Sequence, residues 1–130
     1  LGKVDLIKKI KQKFGGGGMT AKYRRVVTGH DENGKAKVLI DDLIPNVSSG
    51  RPGHGAHLIW TTEKVPVEFS EDGEDKGARD IATTIENGSV FRIVEYGPGV
   101  SPRNHRTESI DYAVVISGEI DMGLGVVIKI

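Results

Sequence analysis

The run GVSPRNHRTESIDYAVVISG holds the residues best suited to chemistry: Gly99, His105, Thr107, Asp111 and Gly118, in a frame closed by a glycine at either end. In an extended strand, positions two apart point the same way, so His105 and Thr107 share a face. A turn at 108–110 folds the chain back and lets Asp111 approach His105 from the next strand. An imidazole beside a carboxylate can serve as an acid/base pair, with Asp111 fixing the tautomer of His105, or as the start of a metal site. Catalytic metals usually take three protein ligands and keep one position open. Glu108 is the candidate third ligand, because the Thr107 hydroxyl is a poor donor unless deprotonated. No resident cofactor is expected, and at most a weakly held divalent cation on His105, Asp111 and Glu108.

Other residues add binding rather than reaction chemistry. Arg92, Arg103 and Arg106 can present planar forks to a carboxylate, with Arg106 holding an anionic substrate beside His105. The plainer reading pairs them with acidic loops. Tyr96, Tyr112 and Trp60 are candidates to line a cavity or simply to fill a core. His54 and His57 stand three apart in HGAH, a spacing that shares a face only on a helix. Gly53 and Gly55 argue against one, which leaves a solvated loop histidine and another at a strand start. His30 lies beside a turn and is expected to be exposed. The four glycines at 15–18 lack the lysine and Ser/Thr of a phosphate loop, and no nucleophile-elbow sequence is present.

These side chains need strands to hold them. Residues 23–27 and 36–40 are β-prone and flank Asp31-Glu32-Asn33-Gly34, a hairpin signature. Residues 45–55 read as loop and 56–62 (AHLIWTT) as strand. Residues 68–80 read as a solvated acidic loop. In 89–96 (SVFRIVEY), alternation puts Val90, Arg92, Val94 and Tyr96 on one face and Phe91, Ile93 and Glu95 on the other. Two more strands are expected at 112–116 and 126–130, with a turn near 123–125. Many short strands between Gly/Pro turns indicate a sandwich or barrel.

The chain has 130 residues, no cysteine, and 18 basic against 18 acidic side chains. That length suits a single core, and the missing cysteines exclude disulfides and thiolate zinc sites. No apolar stretch is long enough for a spanning helix. The charge is uneven, with five lysines and one aspartate in residues 1–18 and a mildly acidic remainder. Nucleic-acid binding is therefore not expected, a membrane surface is an unlikely partner, and the location is expected to be cytoplasmic. Val4, Ile7, Ile10 and Phe14 recur at helical spacing before the glycine spacer. Residues 1–18 thus read as an appended basic amphipathic segment with a flexible linker, and residues 19–130 as the folded domain. A membrane-surface or partner-binding helix is the alternative for that segment.

The glycine-framed run resembles the first motif of the cupin superfamily, in which two histidines and a glutamate stand at these intervals. Gly99, His105 and Gly118 match, Thr107 replaces the second histidine, and Asp111 replaces the glutamate. RRVVTGHDENGK and HLIWTT extend the resemblance over most of 19–119. It implies an all-β double-stranded β-helix, or jelly-roll barrel, usually dimeric, with its site inside. The second cupin motif, which supplies a further histidine, is absent, so the barrel is expected to be incomplete or completed by another chain. A truncated or engineered chain is the first expectation, and a homodimer or strand-swapped oligomer the second. Residues 126–130 or 1–14 standing in for the lost strands are further options. Two functions follow: a small-molecule-binding barrel with a degraded metal site and no catalysis, or a cupin-type isomerase, decarboxylase, dehydratase or oxygenase acting through His105.

Overall fold

Turn chemistry fixes the first element pair. Asp31 accepts backbone hydrogen bonds from Asn33 and Lys35 through its side chain, each at 2.9 Å, and Gly34 takes a left-handed φ of 73°. These contacts close the hairpin between β1 (Arg24–His30) and β2 (Ala36–Leu43), paired from Arg24↔Leu43 to His30↔Ala36. The computed structural model describes residues 21–68, 73–124 and 127–129. The amphipathic segment and linker at 1–18 lie outside these described residues.

Every regular element among the described residues is a strand, and all pairings are antiparallel. A second sheet contains β3 (Val47–Ser48), β4 (His54–Thr62) and β5 (Ser89–Tyr96), in that order. Its register runs from His54↔Tyr96 to Thr62↔Ser89, interrupted by a bulge between Leu58 and Trp60. A third sheet pairs β6 (Asp121–Gly123) with β7 (Val127–Lys129). The expected strands at 23–27, 36–40, 56–62 and 89–96 are thus present, and that expected at 126–130 is present at Val127–Lys129. No helix among the described residues is long and apolar enough to cross a membrane.

The core lies around β4. Ile44, Ala56 and Leu58 are its buried apolar residues, joined by buried Arg25, His57 and Thr61. Arg25 ties the two larger sheets together. Its guanidinium makes bidentate bonds to Asp42 on β2 and to Asp75, and donates to the carbonyl of Ile59 at the β4 bulge. Gly77 sits where a Cβ would overlap both the Arg25 guanidinium and that carbonyl, so this approach requires glycine.

Three sequence expectations need correction. Residues 45–55 are not all loop, because Val47–Ser48 pairs with β4 as β3 and β4 already begins at His54. The segment after residue 72 is not merely a solvated acidic loop, because it packs back onto β4. Thr61 Oγ1 donates to the Lys76 carbonyl at 2.7 Å, and Asn46 Nδ2 donates to the carbonyls of Gly77 and Arg79. Residues 112–116 are not a strand. Ile110, Tyr112, Val114 and Ile116 alternate as a strand would, yet each is 79–96% exposed. Alternation supplies a face, but a strand also needs a neighbouring backbone, and among the described residues none pairs with this one.

Candidate functional site

The two faces of β4–β5 carry different chemistry. Antiparallel partners share a face, so His54 and Tyr96, Ala56 and Val94, and Leu58 and Arg92 stand together on one side. The His54 and Tyr96 rings lie 5.4 Å apart between centroids. Arg92 Nη2 donates to the carbonyls of Ala82 and Thr83 at 3.1 and 3.3 Å, which draws that segment over the sheet. Beneath it is a small hollow of about 30 Å³ bordered by Ala56, Leu58, Arg79, Ile81 and Arg92. An open cleft of about 330 Å³ adjoins it at Pro45, Asn46 and 78–80. Burial pulls the Arg92 guanidinium below its ordinary pKa.

The opposite face carries a closed polar network. Tyr23 Oη donates to Glu95 Oε1 at 2.5 Å, and His57 Nε2 lies 3.3 Å from Glu95 Oε2. Tyr23 also packs edge-on against the His57 ring, with centroids 4.7 Å apart. Burial, then the hydrogen bond and charge of Glu95, push the Tyr23 hydroxyl up to about 12. His57 is 3% exposed and consumed by these contacts, so it is neither a solvated histidine nor a free ligand. His54 begins β4 and is half-buried, which corrects its reading as a loop residue.

The sequence candidates separate in space. Arg92 and Tyr96 come together on one face as expected. Trp60 pairs with Phe91, and the bulge after Leu58 turns it to the Glu95 side. His105, Arg106, Glu108, Asp111 and Tyr112 all lie in the exposed run 101–119. His105 Nδ1 is 3.0 Å from the Arg103 carbonyl, and Asp111 Oδ1 accepts from Ser109 Oγ at 3.1 Å. The framing glycines Gly99 and Gly118 both have left-handed φ, 70° and 79°. Sequence reasoning missed Tyr23, Arg25 and Arg51. Counting back from the Asn33-Gly34 turn sets Arg25 opposite Asp41, and only the bulge between Val27 and Thr28 moves it to Asp42, so local pattern did not give that pair.

No family model matches the chain. Relatives do. It is 33% identical over 103 residues to a cupin-domain-containing oxidoreductase, fogC, of Aspergillus ruber, covering 77% of this chain and 51% of that protein. It is 37% identical over 108 residues to phomopsin biosynthesis cluster protein C′ of Diaporthe leptostromiformis, covering 77% and 56%. It is 34% identical over 101 residues to a second cupin-domain-containing oxidoreductase, virC, of Hypocrea virens, covering 75% and 52%. The chain belongs to the cupin superfamily.

This cupin spans about half the length of these relatives. Its all-strand, antiparallel architecture is the cupin β-fold. Cupins commonly hold a metal on the residues of the first motif, and here the donors do not fit one. Among the described residues, no three His, Asp or Glu side chains converge to hold a cation. His105 and Asp111 face solvent and engage their own neighbours in the chain.

Proposed function

We propose that this cupin binds a small organic molecule over the β4–β5 face carrying His54, Arg92 and Tyr96, and that the chain as it stands performs no reaction there. The observation that carries this reading is the composition of that face. An exposed aromatic edge at Tyr96 beside the His54 imidazole, with Arg92 on the same face above the buried Ala56 and Leu58, supplies the apolar and polar groups of a ligand site. The exposed, non-convergent His105, Glu108 and Asp111 support the absence of catalysis. Homodimer formation or strand swapping belongs to the same proposal, supported by the exposed apolar row from Ile110 to Ile116. A cytoplasmic setting is proposed on the cysteine-free composition.

A thermal-shift screen of small organic metabolites tests the reading. A ligand present at about 100 times its Kd stabilises the fold by about 2.7 kcal/mol. The expected result is a raised Tm that is lost in Arg92→Gln and retained in His105→Ala. Loss of the response in His105→Ala alone overturns it.

The relatives named oxidoreductases favour a second reading, an enzyme acting on a small anionic metabolite. His105 is then an acid/base or metal ligand, with Asp111 and Arg106 beside it. Metal analysis of the purified protein separates the two. Stoichiometric iron, manganese, zinc or nickel that is lost in His105→Ala supports the enzyme.

A further inference from the structure

We propose that Arg51, His54, Arg92 and Arg103 form an anion site, and that the small molecule docks there through a compact oxyanion. This rests on the ligand-binding reading above and names the chemical class that the face selects.

Local backbone structure fixes Arg51 and His54 in one turn and runs the segments carrying Arg92 and Arg103 alongside it. Ser49 Oγ donates to the carbonyls of Arg51 and His54 at 3.2 and 2.7 Å, and the Arg51 carbonyl accepts the His54 N–H at 3.2 Å. Arg51 and His54 are therefore fixed in one turn, which Gly53 completes with a left-handed φ of 76°. The Gly97 N–H donates to the Gly53 carbonyl at 2.7 Å, and the Val100 N–H to the Gly97 carbonyl at 3.2 Å. These bonds anchor the segment leading to Arg103 beside the same turn. Arg92 reaches the site along the His54 face of β5.

Charge balance distinguishes this cluster from Arg24, Arg25 and Arg79, although Arg106 is likewise without a carboxylate among the described residues. Arg24 is paired with Asp41, Arg25 with Asp42 and Asp75, and Arg79 with Glu63. Arg92 donates only to neutral carbonyls. Arg51 and Arg103 have no carboxylate partner among the described residues, and Arg51 Nε and His54 Nδ1 are buried without a hydrogen-bond partner. Glu95, the nearest carboxylate in sequence to Tyr96, faces Tyr23 and His57 on the other side of the sheet. Burial first, then the charges of Arg51, Arg103 and Arg92, hold the His54 imidazole below its ordinary pKa. With no carboxylate opposite Arg51, Arg92 or Arg103 among the described residues, an oxyanion supplies the missing counter-charge and accepts their forked N–H donors. Tyr96, 48% exposed, leaves an apolar surface for the ligand's carbon body.

The test uses the whole chain and follows the His54 imidazole by NMR during pH titrations at constant ionic strength. The probes are sodium succinate, inorganic phosphate, neutral succinamide, and sodium chloride as the screening control. Succinate or phosphate is expected to raise the His54 midpoint saturably, with affinity about tenfold weaker in Arg51→Gln and in Arg103→Gln, equivalent to about 1.4 kcal/mol. Arg103 is exposed, so its variant keeps the fold even where Arg51→Gln does not. Preference for succinate assigns a carboxylate and preference for phosphate a phosphoryl group, and either supports the site. A response to chloride equal to that of both oxyanions overturns it. Succinamide binding the face as tightly as succinate also overturns it, yet leaves the ligand-binding reading standing. Ligands from the screen that bind only around His105 contradict both.

Discussion

Among the described residues, Arg25 is the side chain on which two carboxylates and a bulge carbonyl converge. Its side chain is 2% exposed, while Asp42 and Asp75 retain 36% and 27%. Removing one member of a buried pair strands the remaining charge. Arg25→Met should therefore cost about 3 kcal/mol by urea denaturation, whereas Arg24→Met at the exposed pair with Asp41 should leave the urea midpoint nearly unchanged. Burial pushes the Asp75 carboxyl up, but hydrogen bonds from Arg25 and the Gly77 N–H outweigh it and hold the group below its ordinary pKa. A depressed carboxylate stabilises the fold above its unfolded pKa and loses that contribution as pH falls through the folded one. Stability should hold at neutral pH and decline below about pH 4, less steeply in Asp75→Asn. Tyr23 works in the opposite sense. Raised to about 12, its hydroxyl stabilises the fold fully below about pH 10 and loses that contribution as pH climbs from there towards 12. Tyr23→Phe should cost about 1.5 kcal/mol at pH 7, because it removes a hydrogen bond to a charged acceptor.

At the scale of elements, local signals were legible and long-range ones were not. Asn33-Gly34 announced the β1–β2 hairpin, and alternation in β5 placed Arg92 and Tyr96 on one face, as found. Trp60 escaped because one bulged residue after Leu58 reverses the facing of everything beyond it, and no composition marks that site. Residues 112–116 escaped for a different reason. Their apolar alternation is real, but pairing depends on a neighbouring strand that local pattern does not specify. His54 was legible as a titratable group and illegible as part of a cluster, since its companions Arg51, Arg92 and Arg103 meet only after β4 pairs with β5. The close packing at Gly77 yields an element-scale expectation. Gly77→Ala should displace the Arg25 clamp and lower Tm by several degrees, whereas Gly73→Ala, with open space around it, should be far milder apart from its left-handed φ.

At the scale of the molecule, the buried apolar core is thin and an apolar row lies exposed. Ile110, Tyr112, Val114 and Ile116 present a period-two apolar edge of the kind that pairs with another backbone. Light scattering should show a dimer or larger species that shifts towards monomer in Tyr112→Lys/Val114→Lys, while a monomer in both proteins contradicts self-association through this row. The matched region is about half the length of these relatives, whose names speak of oxidoreductases and biosynthetic clusters. For this chain, the central claim is narrower: ligand recognition belongs to the His54 face of β4–β5 and not to the imidazole of His105 or the carboxylate of Asp111. Amide chemical-shift mapping of the full chain, titrated with the compounds recovered by the thermal-shift screen, tests it most directly. Shifts should centre on residues 51–58, 92–96 and 103, with Asp111 and Tyr112 unmoved; shifts centred on 105–111, with β4 and β5 silent, would contradict it.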